Sequence, residues 1–202
     1  ESRGLGDVYK RQSEKLEKEI VEELKELNFA DVKFGIAFSK MDHYTKQGFD
    51  MIEFQISTNP GEPVKALTKV VSGGELSRIM LAIKTILADK DDTETLIFDE
   101  IDTGISGRTA QKVSEKMARI GRNHQVLCIT HLPQIAAMAD EHFEILKSVE
   151  GMETRTRIHR LSEDESILEL ARILGGAKIT QAVEKNAKEM KELAAIQKTS
   201  RL

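Results

Sequence analysis

The sequence predicts an α/β fold with a mainly parallel core sheet. Two compact apolar runs, Thr95–Phe98 and Gln125–Thr130, flank a stretch of helical period from Arg108 to Ile120. A strand–helix–strand order of this kind brings the second strand back parallel to the first. Neither run alternates apolar with polar, so helices are expected to cover both faces of the sheet. The first run ends in Asp99–Glu100. Two carboxylates are tolerable there only if they project from the strand's carboxyl end, which is where α/β sheets place ligands.

The elements are taken in chain order. Residues 1–12 carry two glycines and no strong period, and lack the apolar stretch of a signal peptide. Their abrupt junction with the next segment reads as a cloning or assembly scar, and no function is assigned to them. From Ser13 to Asn28, Leu16, Ile20, Leu24 and Leu27 recur every three or four residues among Glu and Lys. This predicts an amphipathic helix, with Glu14 and Lys18 spaced as an i,i+4 pair. It suits the end of a coiled-coil arm and equally an ordinary surface helix, because two or three turns are too few to establish heptads.

Val32–Phe38 alternates cleanly as a strand, and Met51–Ser57 less cleanly, ending in the turn Asn59–Pro60–Gly61. A helix is expected from Glu75 to Ala88, and a short one after His131. Strands are expected near His142–Lys147 and Thr154–Arg160. Ser162 and Glu165 are spaced as a capping box for a helix that Gly175–Gly176 stops, and a last amphipathic helix spans Thr180–Ile196.

Composition excludes several classes. In 202 residues a single cysteine, Cys128, rules out an internal disulfide framework, and a reducing cytosol is the expected compartment. No apolar run approaches the roughly 18 residues that span a bilayer, so no membrane partner is expected. Lys and Arg total 30 against 34 Asp and Glu, a net charge of −4, so the chain is no uniformly basic nucleic-acid binder.

Four constellations carry chemistry. Ser72–Gly73–Gly74–Glu75 opens a helix. Ser72 and Glu75 alone make a capping box, yet the hydroxyl, the glycine N–H groups and the helix N-terminus also suit a phosphate. Asp99 is placed to hold a magnesium ion directly or through water, and Glu100 to orient or deprotonate an attacking water; a solvated acidic strand end is the plainer reading. Asp102–Thr103–Gly104–Ile105–Ser106–Gly107 reads as a turn and helix cap, or as a loop coupling one active site to another. His131 follows the second buried strand, so a sheet neighbour of the Asp99 strand would bring it to the edge that carries Glu100. A neutral imidazole there can hydrogen-bond a terminal phosphate.

Taken in order, these residues resemble the C-terminal half of an ABC-type ATPase head: signature motif, Walker B, D-loop and switch histidine. The stretches Lys69–Ala82, Asn59–Pro63, Phe98–Ile105, Thr130–Ala136 and Leu174–Gly176 narrow the resemblance to the RecN family of SMC-related DNA repair proteins. It extends over about Ser13–Ala195. The resemblance implies a P-loop NTPase-like ABC/SMC head, with residues 1–12 as a tail, 13–28 as the returning end of a coiled-coil arm, and 29–202 as the C-terminal part of the head.

The resemblance also implies an ATPase acting in recombinational repair of DNA double-strand breaks, with ATP and Mg2+ as its nucleotide and metal and a cytoplasmic, nucleoid-associated location in a bacterium. No G-x-x-x-x-G-K-[ST] motif occurs in the sequence. The family carries that motif in an N-terminal lobe, which becomes an expected partner, and the isolated chain is expected to be inactive. Further expected partners are a second head in an ATP-dependent dimer, and DNA.

By the same resemblance Ser72, Gly73, Gly74 and Glu75 reach the nucleotide of the second head. Asp99 serves the metal, Glu100 is the general base, His131 senses the terminal phosphate, and Asp102 links the two sites. Arg155, Arg157 and His159 share one face of a strand and are the local candidates for DNA contact; a charged, solvated edge strand is the favoured alternative. Two further readings stay open: the same half of another ABC-type ATPase, and a non-catalytic lobe that binds a partner.

Overall fold

A computed structural model describes residues 3–46, 48–70, 72–90, 92–150, 153–176 and 178–200. The chain opens with α1 (Arg3–Glu26), a 24-residue helix. The amphipathic period predicts its C-terminal half, but the helix runs back through residues 3–12, where no period is visible. Residues 9–12 are exposed. At the other end Ile20, Leu24 and Leu27 are fully buried. The helix stops at Asn28 in the left-handed region (φ 73°), with the Phe29 N–H bonded back to the Leu24 carbonyl at 3.1 Å.

An antiparallel hairpin comes next, β1 (Lys33–Thr45) with β2 (Gly48–Ser57), longer at both inner ends than the alternation predicts. Phe34 and Ile56 face the core across this pair, and β3 (Lys65–Ala66) adds a short third strand against β2. Then come α2 (Gly73–Leu87), β4 (Thr95–Phe98), α3 (Gly107–Ile120) and β5 (Gln125–Cys128). Strands β4 and β5 are parallel, pairing Phe98 with Cys128, as the strand–helix–strand order requires. The short α4 (Pro133–Ala137) precedes a second antiparallel hairpin, β6 (Phe143–Glu150) and β7 (Glu153–Arg160). Helices α5 (Glu163–Gly175) and α6 (Gln181–Ser200) complete the chain, α5 opening with the complete Ser162/Glu165 capping box.

The main core gathers α1, α2, α3 and the inner ends of the sheets around Ile79, Leu81, Ile101, Val113 and Ile120. A smaller core of Ala136, Ala137, Leu170, Ala171 and Ala187 joins α4 to α5 and α6. One sequence expectation is corrected here. The parallel strands are not covered on both faces: Ile97 is 70% exposed, Leu127 47% and Ile129 56%, while Phe98 on the opposite face is buried. Helices α2 and α3 shield one face only. The non-alternating apolar pattern therefore marks a face that this chain leaves open rather than one it fills.

Candidate functional site

The carboxyl ends of β4 and β5 form one edge. The Ile129 N–H donates to the Phe98 carbonyl at 3.2 Å, extending the parallel ladder past the strand ends. Asp99 and Glu100 leave β4 on this edge, and His131 leaves β5 beside them. Asp99 Oδ1 accepts the Glu100 N–H at 2.9 Å. Glu100 itself holds a left-handed backbone conformation (φ 56°). A residue other than glycine accepts this at a cost of about 1 kcal/mol or more, and the bend that results redirects the chain into the loop at 101–106.

The N-terminus of α2 packs onto this edge. Ser72 caps the helix, its Oγ accepting the Glu75 N–H at 3.4 Å. Gly74 is required by contact and not by turn geometry, while Gly73 lies against the movable end of the Glu100 side chain. A β-carbon on Gly73 would overlap the Glu100 carboxylate, and one on Gly74 would lie 2.9 Å from the Glu100 carbonyl oxygen and 3.0 Å from Thr103 Cβ. Two of the predicted residues, Gly73 and Gly74, thus lie against Glu100, and the helix dipole of α2 points its positive end at the carboxylate.

The loop after Glu100 is held from inside. Asp102 is 4% exposed, and its Oδ2 accepts Thr130 Oγ1 at 2.7 Å and the His131 N–H at 2.8 Å. His131 Nδ1 lies 3.0 Å from the same oxygen, while the imidazole remains 75% exposed. The Asp102 carboxylate points inward, with the histidine ring beside it.

Two residues without a role in the sequence reading also build the edge. Ser77 Oγ donates to the Asp99 carbonyl at 2.8 Å. Arg78 is buried, donating from Nη1 to the carbonyls of Thr103 at 2.8 Å and Ile101 at 3.4 Å, with its guanidinium 5.4 Å from the Phe29 ring centre. Burial pushes its pKa down from the ordinary value, an effect opposed by the charge of Glu75. A signal was present in the sequence, since Gly74, Ser77 and Arg78 are spaced i, i+3, i+4 and share one helix face.

Arg155 and Arg157 lie on β7, opposite Ser148 and Leu146 of β6. They are exposed and belong to a different sheet from β4 and β5, beyond whose ends Glu100 and His131 lie. His159, on the same strand face, is 3.6 Å from Glu165.

The edge suits hard, oxygen-rich chemistry. Asp99 offers an exposed carboxylate whose Oδ2 is not used in the Glu100 bond. That donor fits a magnesium ion that takes most of its ligands from water and phosphate. Among the described residues no cluster of three or more His, Cys, Asp or Glu side chains forms a full protein metal cage. No helix among them is long and apolar enough to cross a membrane.

Fold comparison places the chain with the heads of SMC proteins. It superposes on the SMC head domain with coiled coil and joint of Pyrococcus yayanosii with a TM-score of 0.54 at 21% identity, covering 84% of this chain and 31% of that one. An SMC head domain with an extended coiled coil from Pyrococcus furiosus, solved with the C-terminal domain of ScpA, gives 0.51 at 21% identity, covering 82% and 40%. The architecture is that of part of an SMC head domain.

In sequence the chain is RecN-like. It is 42% identical to the DNA repair protein RecN of Bacillus subtilis over 99% of its own length and 37% of that protein. To the RecN of Halalkalibacterium halodurans it is 43% identical, over 96% of this chain and 35% of that one. To that of Vibrio cholerae it is 43% identical, over 89% and 33%. The chain thus spans about a third of the length of these curated relatives. No family model matches it.

Proposed function

We propose that this chain is the C-terminal half of an ATP-hydrolysing head of a RecN-like, SMC-family protein that acts in DNA double-strand break repair. The observation that carries the reading is the shared edge: Asp99 and Glu100 leave β4, His131 leaves the parallel neighbour β5, and the glycine-opened N-terminus of α2 packs against Glu100. An acid and an orientable imidazole meet there, parts that phosphoryl transfer to water needs, beside a helix start whose N–H groups can serve a second nucleotide.

Each residue then has a task. Glu100 accepts the proton of the attacking water. His131, oriented by Asp102, donates to a terminal phosphate oxygen through the nitrogen that faces outward. Ser72, Gly73, Gly74 and Glu75 present the hydroxyl and N–H donors of a helix start to the nucleotide on a second head. Asp99 would hold a magnesium ion, which would supply charge neutralisation to the phosphates.

The phosphate-cradling lysine must come from elsewhere. The open face of Ile97, Leu127 and Ile129 is a suitable seat for a P-loop-bearing N-terminal lobe, and the greater length of the relatives leaves room for one. DNA is the larger partner, and Arg155 and Arg157 are its candidate contacts on this chain. A cytoplasmic, nucleoid-associated location follows from that role.

The test is ATP hydrolysis by this chain alone, by the N-terminal lobe alone, and by the two together. Activity is expected only in the mixture, and Glu100→Gln is expected to slow turnover by about two to four orders of magnitude while ATP still binds. An assembled mixture without turnover would replace the enzymatic reading with a partner-binding lobe. Unchanged turnover in Glu100→Gln would remove that residue from the chemistry.

A further inference from the structure

Arg78 has no place in the reaction just described, yet few side chains are placed at greater cost. It is 7% exposed, its Nε is buried without a hydrogen-bond acceptor, and its Nη1 is satisfied by backbone carbonyls rather than by a carboxylate. Burying a guanidinium on such terms is unfavourable, and an apolar residue of similar volume would stabilise the lobe more. The charge is therefore retained for what it holds.

It holds two things. The first is the loop. Ile101 O and Thr103 O, the two carbonyls that Nη1 contacts, flank Asp102, whose carboxylate fixes the His131 N–H and ring. The second is Phe29, whose ring lies against the guanidinium immediately after the left-handed turn at Asn28 that ends α1. A continuous set of contacts thus runs from the base of α1 through Phe29, Arg78 and the 101–103 backbone to Asp102 and His131.

We propose that Arg78 is a positioning residue that ties the base of helix α1 to the nucleotide-facing edge, so that a shift of α1 against α2 moves Asp102 and His131. Its consequence for turnover rests on the ATPase reading above; the mechanical link does not. Because one guanidinium both lies over the Phe29 ring and grips the loop through Nη1, the compact ammonium of lysine cannot replace it in both roles.

The experiment uses the full-length protein, with both lobes and the arm, and compares wild type with Arg78→Lys, Arg78→Gln, Phe29→Leu and Glu100→Gln. Amide hydrogen exchange is followed at Thr103, Ile105 and His131, whose N–H groups bond to Glu100 O, Asp102 O and the Asp102 carboxylate. Arg78→Lys and Phe29→Leu should each accelerate exchange at all three by about tenfold or more, with Ser166 and Glu184 in α5 and α6 unchanged. The kcat for ATP should fall by about tenfold or more at nearly constant KM, as expected of displaced catalytic groups.

Unchanged exchange at His131 in Arg78→Lys overturns the proposal, and so does equal acceleration in α5 and α6, which would mark general destabilisation. An unchanged Phe29→Leu cuts α1 out of the path and overturns it as well. If Arg78→Lys does not fold, Arg78→Gln and Phe29→Leu decide by the same criteria. Absent wild-type turnover, or a Glu100→Gln variant as fast as wild type, would sink the ATPase reading alone, since the exchange pattern decides the role of Arg78 independently.

Discussion

Asp102 and His131 meet through a single oxygen: Oδ2 of the buried aspartate lies 3.0 Å from His131 Nδ1 and 2.8 Å from the His131 backbone nitrogen, and also accepts from Thr130 Oγ1. One carboxylate thereby fixes both the strand exit and the orientation of the ring. With Nδ1 turned inward, the other nitrogen of a ring that is 75% exposed is left for a ligand.

Asp102→Asn tests that arrangement. The amide keeps the size of the side chain but loses the charge that accepts two hydrogen bonds and faces the imidazole at one oxygen. The lobe should lose about 1–3 kcal/mol in denaturant unfolding, since hydrogen bonds to a buried charged acceptor are among the stronger ones. In the assembled protein, turnover should drop by about one to two orders of magnitude with ATP affinity nearly unchanged, because the histidine is misaligned and not removed. A variant with full kcat would show that His131 does not depend on Asp102.

Gly74 is governed by close approach. An alanine there should gain up to about 1 kcal/mol in helix propensity. The added carbon would lie 2.9 Å from the Glu100 carbonyl oxygen and 3.0 Å from Thr103 Cβ, both closer than a methyl group tolerates. Overpacking of this kind costs about 1–3 kcal/mol, so the contact outweighs the propensity. Gly74→Ala is expected to lower the unfolding midpoint and to impair hydrolysis by moving Glu100. An alanine variant of higher stability would mean that the helix and the 100–103 loop are less tightly packed than their distances require.

Much of this architecture was legible in the sequence, for physical reasons. The apolar runs at Thr95–Phe98 and Gln125–Cys128, separated by one helix, left little choice but a parallel pair, and the acids at 99–100 marked the candidate site edge. Ser162 and Glu165 announced their helix because a capping box is local chemistry. What the sequence hid was long-range. The exposure of Ile97 and Leu127 depends on what packs against the sheet, which a pattern of apolar residues does not encode. The inward turn of Asp102 depends on Thr130 and His131, 28 and 29 residues away. Residues 9–12 of the first helix are exposed, so apolar periodicity had nothing to register there.

Cys128 gives a prediction that needs no nucleotide. Burial, with the nearby charges of Asp102 and Asp99, pushes its thiol from the ordinary value of 9.0 up to about 12. The reactive thiolate is then rarer at pH 8 by roughly three orders of magnitude than for an ordinary cysteine. Alkylation by iodoacetamide should be at least about a hundredfold slower in the folded chain than in denaturant. Comparable rates would mean that the end of β5 opens readily to solvent.

Lys116 anchors α1 to α3, and it ties stability to pH. Its ammonium is 9% exposed and bonded to Glu26 at 2.8 Å and to Glu23. The hydrogen bond from Lys116 holds the Glu26 carboxyl below its ordinary value of 4.5, against the opposing effect of partial burial. A carboxyl whose folded pKa lies below its unfolded one adds stability that is complete above the unfolded value and fades as pH falls through the folded value. Lys116→Met removes the buried cation and leaves Glu23 and Glu26 facing an apolar side chain. At pH 7 the variant should be less stable by about 1–3 kcal/mol, below the full cost of a broken buried pair because Glu26 is 52% exposed. Below about pH 4 the gap between wild type and variant should narrow, since protonated glutamates no longer need the lysine. Urea unfolding at pH 7 and pH 3.5 measures both quantities, and a gap that stays constant with pH would show that Lys116 acts through the packing of its alkyl chain and not through its charge.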